Sequence, residues 1–191
     1  MVEAYIGLGG AGMLGRTGRC LTFDNSANGY ARGEGMCAAV LKAAGDGRDV
    51  EERLGCFLGG FINQDGRSAS LTAPNGPSQQ ACIRSSLRDC GLTPADIWTC
   101  ENHGTGTALG DPIEFGSVRA CFWKHRETVL QCTSGKSHTG HGEASSGLSG
   151  ILKTLTTIRE GAVPSQNHLY FLNSNIDESG FMAHIPTEVC G

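Results

Sequence analysis

The chain has 191 residues, of which 39% are hydrophobic and 18% are charged. This composition can bury a core and excludes an intrinsically disordered chain. A net charge of −4 without any basic run disfavours nucleic acids and anionic membranes as partners. The 29 glycines follow no fixed period, which suits an α/β fold with many tight turns rather than a fibre or a linker.

The nine cysteines are odd in number and form no C-x-x-C pair, unlike those of a secreted disulfide scaffold or a zinc ribbon. Most of them lie in apolar stretches, where a free thiol packs like a small hydrophobic group, so we expect them mostly in the core. Glu3 stands where a secretory signal has lysine or arginine, and no apolar run is long enough to cross a membrane. We therefore expect a reduced protein in the cytoplasm.

The N-terminal segment is apolar and rich in glycine. VEAYI (2–6) predicts a short strand, and the glycines of 7–12 fit the pattern G-x-G-x-x-G of dinucleotide-binding turns. That pattern should open a helix, yet Gly15 and Gly18 follow without apolar periodicity. We therefore expect a glycine-rich turn at the end of a strand rather than a dinucleotide site.

Two apolar runs in the first third of the chain predict buried strands. MCAAVLKAA (36–44) and CFLGGFI (56–62) are each flanked by turn-forming residues. The polar stretch between them, DGRDVEERLG (46–55), predicts a boundary between two subdomains, at residues 1–52 and 53–191.

Residues 79–90 are the first stretch whose apolar periodicity predicts a helix. Ser78 is a candidate N-cap, apolar side chains recur on one face, and Gly91 can end the helix. Residues 93–96 predict a single helical turn, and WTCEN (98–102) predicts a short strand.

The second half of the chain alternates strands with helices. Asp111 as N-cap, Pro112 at the first helical position and Glu114 three residues after the cap predict a helix start. TVLQCTS (128–134) predicts a strand, and the apolar stripe within 143–160 predicts the last helix. This alternation predicts an α/β fold with a largely parallel sheet.

Two loops each place histidine among glycines at a strand-to-helix junction: HGTGT (103–107) and KSHTGHGE (136–143). In α/β folds, ligands bind at such junctions, at the carboxyl ends of the strands. Glycine permits close approach of the backbone, and histidine supplies a hydrogen-bond donor or acceptor near neutral pH. These loops are therefore the first candidates for a functional site.

Four long motifs in the same order resemble those of the β-ketoacyl synthases, above all the ketosynthase domains of modular type I polyketide synthases. FDNSANGYARGEG (23–35) is similar to FD-x-x-ADGY-x-RGEG, and NQDGRSASLTAPNGPSQQ (63–80) to NQDG…LTAPNGP-x-Q. ENHGTGTALGDPIE (101–114) resembles EAHGTGT-x-LGDP-x-E. GKSHTGHGEASSGLSGILK (135–153) resembles KSNIGH-x-EAAAG-x-AG-x-x-K.

The resemblance implies an incomplete thiolase-like fold. Residues 1–52 would be the end of the N-terminal half, and residues 53–191 most of the C-terminal half. It also implies a decarboxylative Claisen condensation, in which the enolate of a malonyl-type unit attacks an acyl thioester held on a cysteine. The two histidines of that chemistry fall on His103 and His141. Two neutral imidazoles can donate N–H hydrogen bonds to the enolate oxygen.

Other residues match supporting positions of the family site. Lys136 matches the catalytic lysine near the second histidine, where its charge would keep that ring neutral. Glu143 matches the motif glutamate and is expected to orient Lys136 or its loop. Thr105 and Thr107 match the hydroxyls that line the phosphopantetheine arm, whereas Asp111 is assigned to helix capping.

No metal and no directly bound cofactor are expected. Cys132, His138 and His141 could be drawn as a metal cluster, but they lack the spacing of a zinc site. His138, at the family's asparagine position, is expected to make a structural hydrogen bond. The resemblance implies substrates presented as phosphopantetheine thioesters by an acyl carrier protein, and a homodimer of the complete domain, without nucleic acid or membrane.

Two family segments have no counterpart in this sequence. The family nucleophile lies in a Thr-Ala-Cys-Ser-Ser segment, and none of the nine cysteines precedes Ser-Ser. The family's final glycine-rich loop, expected after IPTE (185–188), is also missing. The chain is thus identified as the middle-to-late portion of a polyketide or fatty-acid ketosynthase, an acyltransferase by family and inactive when isolated. A non-catalytic truncated or partner subunit with the same fold is the alternative.

Overall fold

A computed structural model describes residues 2–43, 53–68, 70, 73–124 and 126–191. The helices in these ranges are α1 Val2–Gly10, α2 Gly76–Cys90, α3 Gly110–Phe122, α4 Lys136–Thr139 and α5 Ser146–Glu160. Short 3-10 turns form at Pro94–Asp96 and Glu143–Ser145. The strands are β1 Thr99–Glu101, β2 Leu130–Thr133 and β3 Ala183–His184.

The three strands form one parallel sheet in the order β1-β2-β3. β1 and β2 are in register, so that Cys100 lies beside Cys132 and Glu101 beside Thr133. Because both strands run in the same direction, the loops that follow them leave from the same edge of the sheet. The prediction of a parallel α/β sheet, with these two strands in it, is confirmed.

The apolar core joins α3 to β2 and to the turn that bears Phe23. The Phe115 ring packs edge-to-face against Phe23, with ring centroids 6.2 Å apart, and against Phe181 at 5.9 Å. The buried cluster consists of Phe23, Phe115, Val118, Phe122, Leu130, Cys132, Ile176 and Phe181. Burial of each large apolar side chain contributes about 1.5–3 kcal/mol, so this cluster fixes the elements from which both histidine loops start.

A second long-range connection is polar. Asp24, in the turn after Phe23, is buried, and its Oδ2 atom accepts hydrogen bonds from the backbone N–H groups of Tyr170 (2.7 Å) and Phe171 (3.0 Å). The backbone N–H of Asn25 donates to the Phe171 carbonyl at 2.7 Å. These bonds attach the turn at residues 23–25 to a segment near the end of the chain.

Helix α2 begins three residues before the predicted start. The cap is Asn75 rather than Ser78: Asn75 Oδ1 accepts the Ser78 backbone N–H at 3.2 Å, and Pro77 occupies the first turn. Gly91 ends the helix in the left-handed conformation, with φ of 67°, as predicted. The predicted helical turn at 93–96 is also confirmed, as a 3-10 turn.

Helix α3 is present, but its predicted cap is wrong. The N-cap is Leu109, and Asp111 lies within the first turn. The buried Asp111 carboxylate instead accepts hydrogen bonds from the backbone N–H groups of Phe23 (2.8 Å) and Gly106 (3.1 Å). Its position in the sequence resembled a cap because a first-turn aspartate fits the helix dipole in either role.

The predicted N-terminal strand is wrong, because residues 2–10 form helix α1. A short apolar run does not distinguish a strand from a helix by periodicity alone. The helix continues through Gly7, Gly9 and Gly10, so the glycines do not form the strand-to-helix turn of a dinucleotide site.

The two apolar runs predicted as buried strands are irregular and exposed in the described residues. Val40 is 99% exposed and Ile62 92%. Residues 56–62 run beside α2, where the Gly60 backbone N–H donates to Asp89 and Cys82 Sγ donates to the Phe61 carbonyl. No strand among the described residues pairs with either run, and a strand forms only when a neighbour satisfies its backbone groups. Residues 44–52, which include most of the predicted boundary, lie outside the described residues.

The loop predicted after β2 contains the four-residue helix α4. After Gly140, the last helix begins as the 3-10 turn Glu143–Ser145 and continues as α5 to Glu160, with Gly161 as its C-cap, close to the predicted 143–160. The nine cysteines are free thiols, but only Cys20 and Cys132 are buried, so the prediction that most lie in the core is wrong.

Within the described ranges, none of the helices combines the length and the apolar content needed to cross a bilayer.

Candidate active site

The loops that follow β1 and β2 bring the two predicted histidines together. His103 lies two residues after β1, and His141 follows α4 and the turn at Gly140. Their ring centroids are 5.2 Å apart and the ring planes are perpendicular, at 88°. Ser134 Oγ donates to the His103 carbonyl at 3.1 Å, which links the two loops directly.

The Glu114 carboxylate of α3 fixes the His103 loop through two hydrogen bonds. Its Oε1 atom accepts the His103 backbone N–H at 2.6 Å, and Oε2 accepts that of Gly104 at 2.9 Å. Burial raises the pKa of the Glu114 carboxyl to about 7, although these two hydrogen bonds favour its charged form. Sequence reasoning placed Glu114 only in a helix cap and missed this role.

The glycines of HGTGT permit a backbone path that other residues would block. Gly104 and Gly106 have φ of 48° and 79°. A Cβ atom on Gly104 would lie 2.6 Å from Ser134 Cβ, and one on Gly106 would lie 2.6 Å from the Leu21 backbone nitrogen. The loop can therefore lie against the segment at residues 20–22 only with glycine at both positions.

The His141 ring is fixed through its Nδ1 atom. Nδ1 accepts the Glu143 backbone N–H at 3.1 Å and lies 2.7 Å from Ser146 Oγ. Because a backbone N–H can only donate, Nδ1 is an acceptor, and in the neutral ring the proton sits on Nε2. The Tyr30 ring packs against the imidazole with centroids 5.0 Å apart. The ring therefore has Nε2–H as its hydrogen-bond donor.

Glu143 connects the second loop to the segment that resembles FD-x-x-ADGY-x-RGEG. Its Oε1 atom lies 2.8 Å from Arg32 Nη1 and accepts the Tyr30 hydroxyl at 3.2 Å. The carboxylates whose charges act on Lys136 are instead Glu114, Glu101 and Asp111. Glu143 thus contacts Tyr30 and Arg32 rather than Lys136. Of its two predicted roles, the geometry favours orienting the loop.

The electrostatics keep both imidazoles neutral. The His103 ring reaches the surface, yet the protein atoms around it and the nearby Lys136 charge lower its pKa to about 4. Burial, followed by the Lys136 charge, also lowers the pKa of His141. Burial lowers the pKa of Lys136 itself, and the surrounding carboxylates partly oppose that shift. At neutral pH the site therefore presents two uncharged rings beside an ammonium group.

The remaining predicted residues lie on the same loops. Thr105 is buried and Thr107 half-buried. His138 is exposed on α4, with Nδ1 3.2 Å from Ser137 Oγ, which agrees with a structural hydrogen bond. Among the residues described, no group of three or more histidine, cysteine, aspartate or glutamate side chains could hold a metal ion, so Cys132, His138 and His141 form no such cluster.

A cavity of about 350 Å³ lies beside α5, and none of the predicted site residues lines it. It is lined by Lys153, Thr156, Thr157, Glu160, Ala162, Pro164 and Val189. The convergence of titratable side chains with lowered pKa values identifies the histidine loops, rather than this cavity, as the candidate active site.

The profile of the β-ketoacyl synthase C-terminal domain matches residues 54–170, and that of the β-ketoacyl synthase N-terminal domain matches residues 2–47. The chain belongs to the β-ketoacyl synthase family. Members of this family are condensing enzymes, and the resemblance inferred from the four motifs is thereby confirmed.

This ketosynthase is similar to segments of much longer synthases. It is 38% identical to the hybrid PKS-NRPS synthetase pyvA of Aspergillus violaceofuscus, over 97% of this chain and 5% of that protein. It is 41% identical to a phenolphthiocerol/phthiocerol polyketide synthase of Mycobacterium tuberculosis, over 93% of this chain and 8% of that protein.

Solved ketosynthase structures share its fold. The ketosynthase from module 6 of the bacillaene synthase of Bacillus subtilis matches all of this chain, with a TM-score of 0.91 and 33% identity. This chain covers 34% of that structure, so it is part of a polyketide synthase ketosynthase domain, and the thiolase-like fold is confirmed.

Proposed function

We propose that His103, His141 and Lys136 are the decarboxylation and enolate-stabilising residues of a ketosynthase that performs a decarboxylative Claisen condensation. The observation that supports this most directly is the perpendicular pair of neutral imidazoles, with centroids 5.2 Å apart. Membership of the family and the fit of both loops to its motifs support the same assignment.

In the proposed reaction, the bond between the carboxylate carbon and Cα of a malonyl thioester breaks, and carbon dioxide leaves. The electron pair moves onto the thioester oxygen as an enolate. Nε2–H of His141 and the His103 ring donate hydrogen bonds to that oxygen, an interaction that is strongest when the charge develops. The enolate carbon then attacks an acyl thioester, and the cysteine thiolate departs.

Lys136 keeps this donor pair in the state that the reaction needs. Its positive charge disfavours the imidazolium form of both rings, which lowers their pKa values. A charged imidazolium would hold the substrate carboxylate in place and oppose loss of carbon dioxide, whereas a neutral ring stabilises mainly the enolate.

The substrates in this proposal are thioesters on the phosphopantetheine arm of an acyl carrier protein, with Thr105 and Thr107 lining the arm. Polyketide synthase relatives support the carrier protein as partner. The homodimer, the cytoplasmic location and the division at residues 1–52 and 53–191 stay predictions. So does the inactivity of the isolated chain, since none of its nine cysteines precedes Ser-Ser.

The proposal is tested in a complete ketosynthase domain that carries these residues and the nucleophilic cysteine segment. In the variant His141→Ala, we expect malonyl decarboxylation to fall by about 10²–10³-fold, the usual effect of losing one such donor. Acyl transfer onto the cysteine should continue. The matched control is His184→Ala, an exposed histidine of β3. Equal decarboxylation by His141→Ala and the parent domain would contradict the assignment.

The second candidate is a non-catalytic truncated or partner subunit that keeps the ketosynthase fold. Purified as 191 residues, the chain should form no carbon–carbon bond from acyl and malonyl thioesters under either hypothesis. The two candidates separate when the upstream cysteine segment is supplied: condensation then supports the enzyme, and its absence supports the non-catalytic protein.

A further inference from the structure

A polar cluster outside the histidine pair lies at the ends of β1 and β2. Glu101 is the last residue of β1, Thr133 is the last residue of β2, and Lys153 lies in α5. Lys153 Nζ is 2.5 Å from Glu101 Oε2 and 2.6 Å from Thr133 Oγ1. Thr133 Oγ1 also donates to Glu101 Oε2 at 3.0 Å. We call these three residues the Glu101 cluster.

The second oxygen of Glu101 binds the start of α4. Oε1 accepts the backbone N–H of Gly135, the N-cap residue of that helix, at 2.6 Å. Close packing accompanies this bond. A Cβ atom on Gly135 would lie 3.2 Å from Lys153 Cδ, and one on Gly150 of α5 would lie 3.2 Å from Glu101 Cγ. Glycine at both positions lets α4 and α5 approach the carboxylate.

The cluster is mostly removed from water, since the side chains of Glu101 and Lys153 are 17% and 16% exposed. A carboxylate in such a place needs a compensating charge and hydrogen bonds on both oxygens. Lys153, Thr133 and the Gly135 N–H supply them. Because a charge-assisted bond in a partly buried pair is short and directional, the geometry of the three connected segments is fixed.

Each of those segments leads to a proposed catalytic residue. Glu101 lies two residues before His103, and Gly135 immediately precedes Lys136. Lys153 belongs to α5, the helix that follows His141. We infer that the Glu101–Lys153 ion pair is a positioning pair that sets the distance between the His103 and His141 rings. The inference rests on the proposed function, since it assigns the pair a role in the decarboxylation step.

The experiment compares Lys153→Met, Lys153→Arg and Glu101→Gln in a complete ketosynthase domain that carries these residues. In Lys153→Met and Glu101→Gln we expect kcat for malonyl decarboxylation to fall about 10- to 100-fold, the range for a catalytic group displaced by less than 1 Å. KM and acyl loading of the cysteine should stay within about twofold, because those steps do not need both rings. Lys153→Arg should restore most of the rate.

The matched control is Asp177→Asn, which breaks the ion pair of Arg119 and Asp177 at 3.3 Å, where Asp177 is 62% exposed. This variant should decarboxylate at the parent rate. If Lys153→Met fails to fold, Thr133→Val replaces it, since valine keeps the shape and removes the hydroxyl that bonds to both charged groups. Parent-like kcat in the folded variant, or an equal fall of kcat and acyl loading, overturns the inference.

NMR of ring-labelled histidine tests the positions of the two rings independently of the proposed function. Lys153→Met, or its substitute Thr133→Val, should move the ring signals of His103 and His141, whereas Asp177→Asn should leave them in place. Moved signals in a domain whose parent does not decarboxylate malonyl thioesters refute the proposed function and support the positioning of the rings. Unmoved signals in a parent that decarboxylates refute the positioning pair alone.

Discussion

At the scale of single residues, neighbouring groups determine what each imidazole can do. The Glu143 backbone N–H occupies Nδ1 of His141, which leaves the proton on Nε2. The Lys136 charge acts on both rings and disfavours their protonation. In the proposed reaction, the two rings therefore need no change of protonation between substrate binding and loss of carbon dioxide.

The variant Lys136→Met should raise the pKa of His103 from about 4, because the second cause of its low value is removed while burial remains. The pKa of His141 should rise as well, for the same reason. A histidine-detected NMR titration of the complete domain measures both values. Lys124→Met is the control, since Lys124 is exposed after α3, and an unchanged His103 pKa in Lys136→Met would refute the electrostatic argument.

Glu114 should make stability depend on pH in an unusual direction. Its folded pKa of about 7 lies above the value of 4.5 for an unperturbed carboxyl, so the folded state binds more protons between these two values. Its contribution to stability is therefore complete below pH 4.5 and is lost as the pH rises to 7. Relative to Glu114→Gln, the parent should lose at most about 3 kcal/mol over this interval.

Chemical denaturation of both proteins at several pH values measures this difference. His103 has the opposite dependence, because its lowered pKa reduces stability as the pH falls from 6.5 to about 4. Taking the difference between parent and Glu114→Gln removes the contribution that His103 makes to both. A difference that stays constant from pH 4.5 to 7 would show that Glu114 is ionised throughout.

At the scale of elements, the HGTGT loop depends on backbone that only glycine adopts. Gly106→Ala should destabilise the complete domain by about 1–3 kcal/mol from backbone strain alone, and the Cβ clash with Leu21 should add to this. Gly116→Ala is the matched control, because a Cβ atom there meets nothing within 4 Å and lies in the exposed face of α3. It should stabilise by about 0.5–1 kcal/mol. Thermal unfolding distinguishes the two, and equal effects would contradict the strain argument.

Elements with local determinants could be predicted from the sequence, and those with distant partners could not. Helices α2 and α5 have their apolar stripes, and the turn at 93–96 its capping box, within a few residues, so the pattern was sufficient for the type of each element although not for the cap of α2. The runs at 36–44 and 56–62 are apolar enough for strands, but strand formation depends on a pairing partner that the pattern does not contain.

The candidate site shows the same difference between local and distant determinants. The two histidines were found because their loops combine glycine with a titratable ring at strand ends, and the family motifs then assigned them. Glu114 was missed because its sequence context fits a helix cap, although its carboxylate reaches back eleven residues to His103. Tyr30 and Arg32 were missed because their partner Glu143 lies more than a hundred positions away. Contacts of this kind appear only in the folded chain.

At the scale of the whole molecule, the 191-residue chain exposes apolar surface that a stable monomer would cover. Phe57 is 77% exposed, and Val40 and Ile62 are almost fully exposed. We expect the purified chain to bind the dye ANS and to self-associate, because large apolar patches mark interfaces or aggregation sites. The complete domain should bind much less dye and should form no aggregates, since the solved structures are about three times longer than this chain and can cover this surface. A monomeric chain without dye binding in size-exclusion experiments would contradict this expectation.

The Asp24 carboxylate has a consequence for how the chain folds during translation. Its hydrogen-bond partners, Tyr170 and Phe171, follow it by 146 and 147 residues. At ribosomal speeds of about 5–20 residues per second, these partners emerge roughly 7 to 30 seconds later. Until then the Asp24 Oδ2 atom is solvated by water, and contacts so distant in sequence slow the final folding step. Protection of the nascent chain by a chaperone would therefore matter most before Tyr170 and Phe171 have been made.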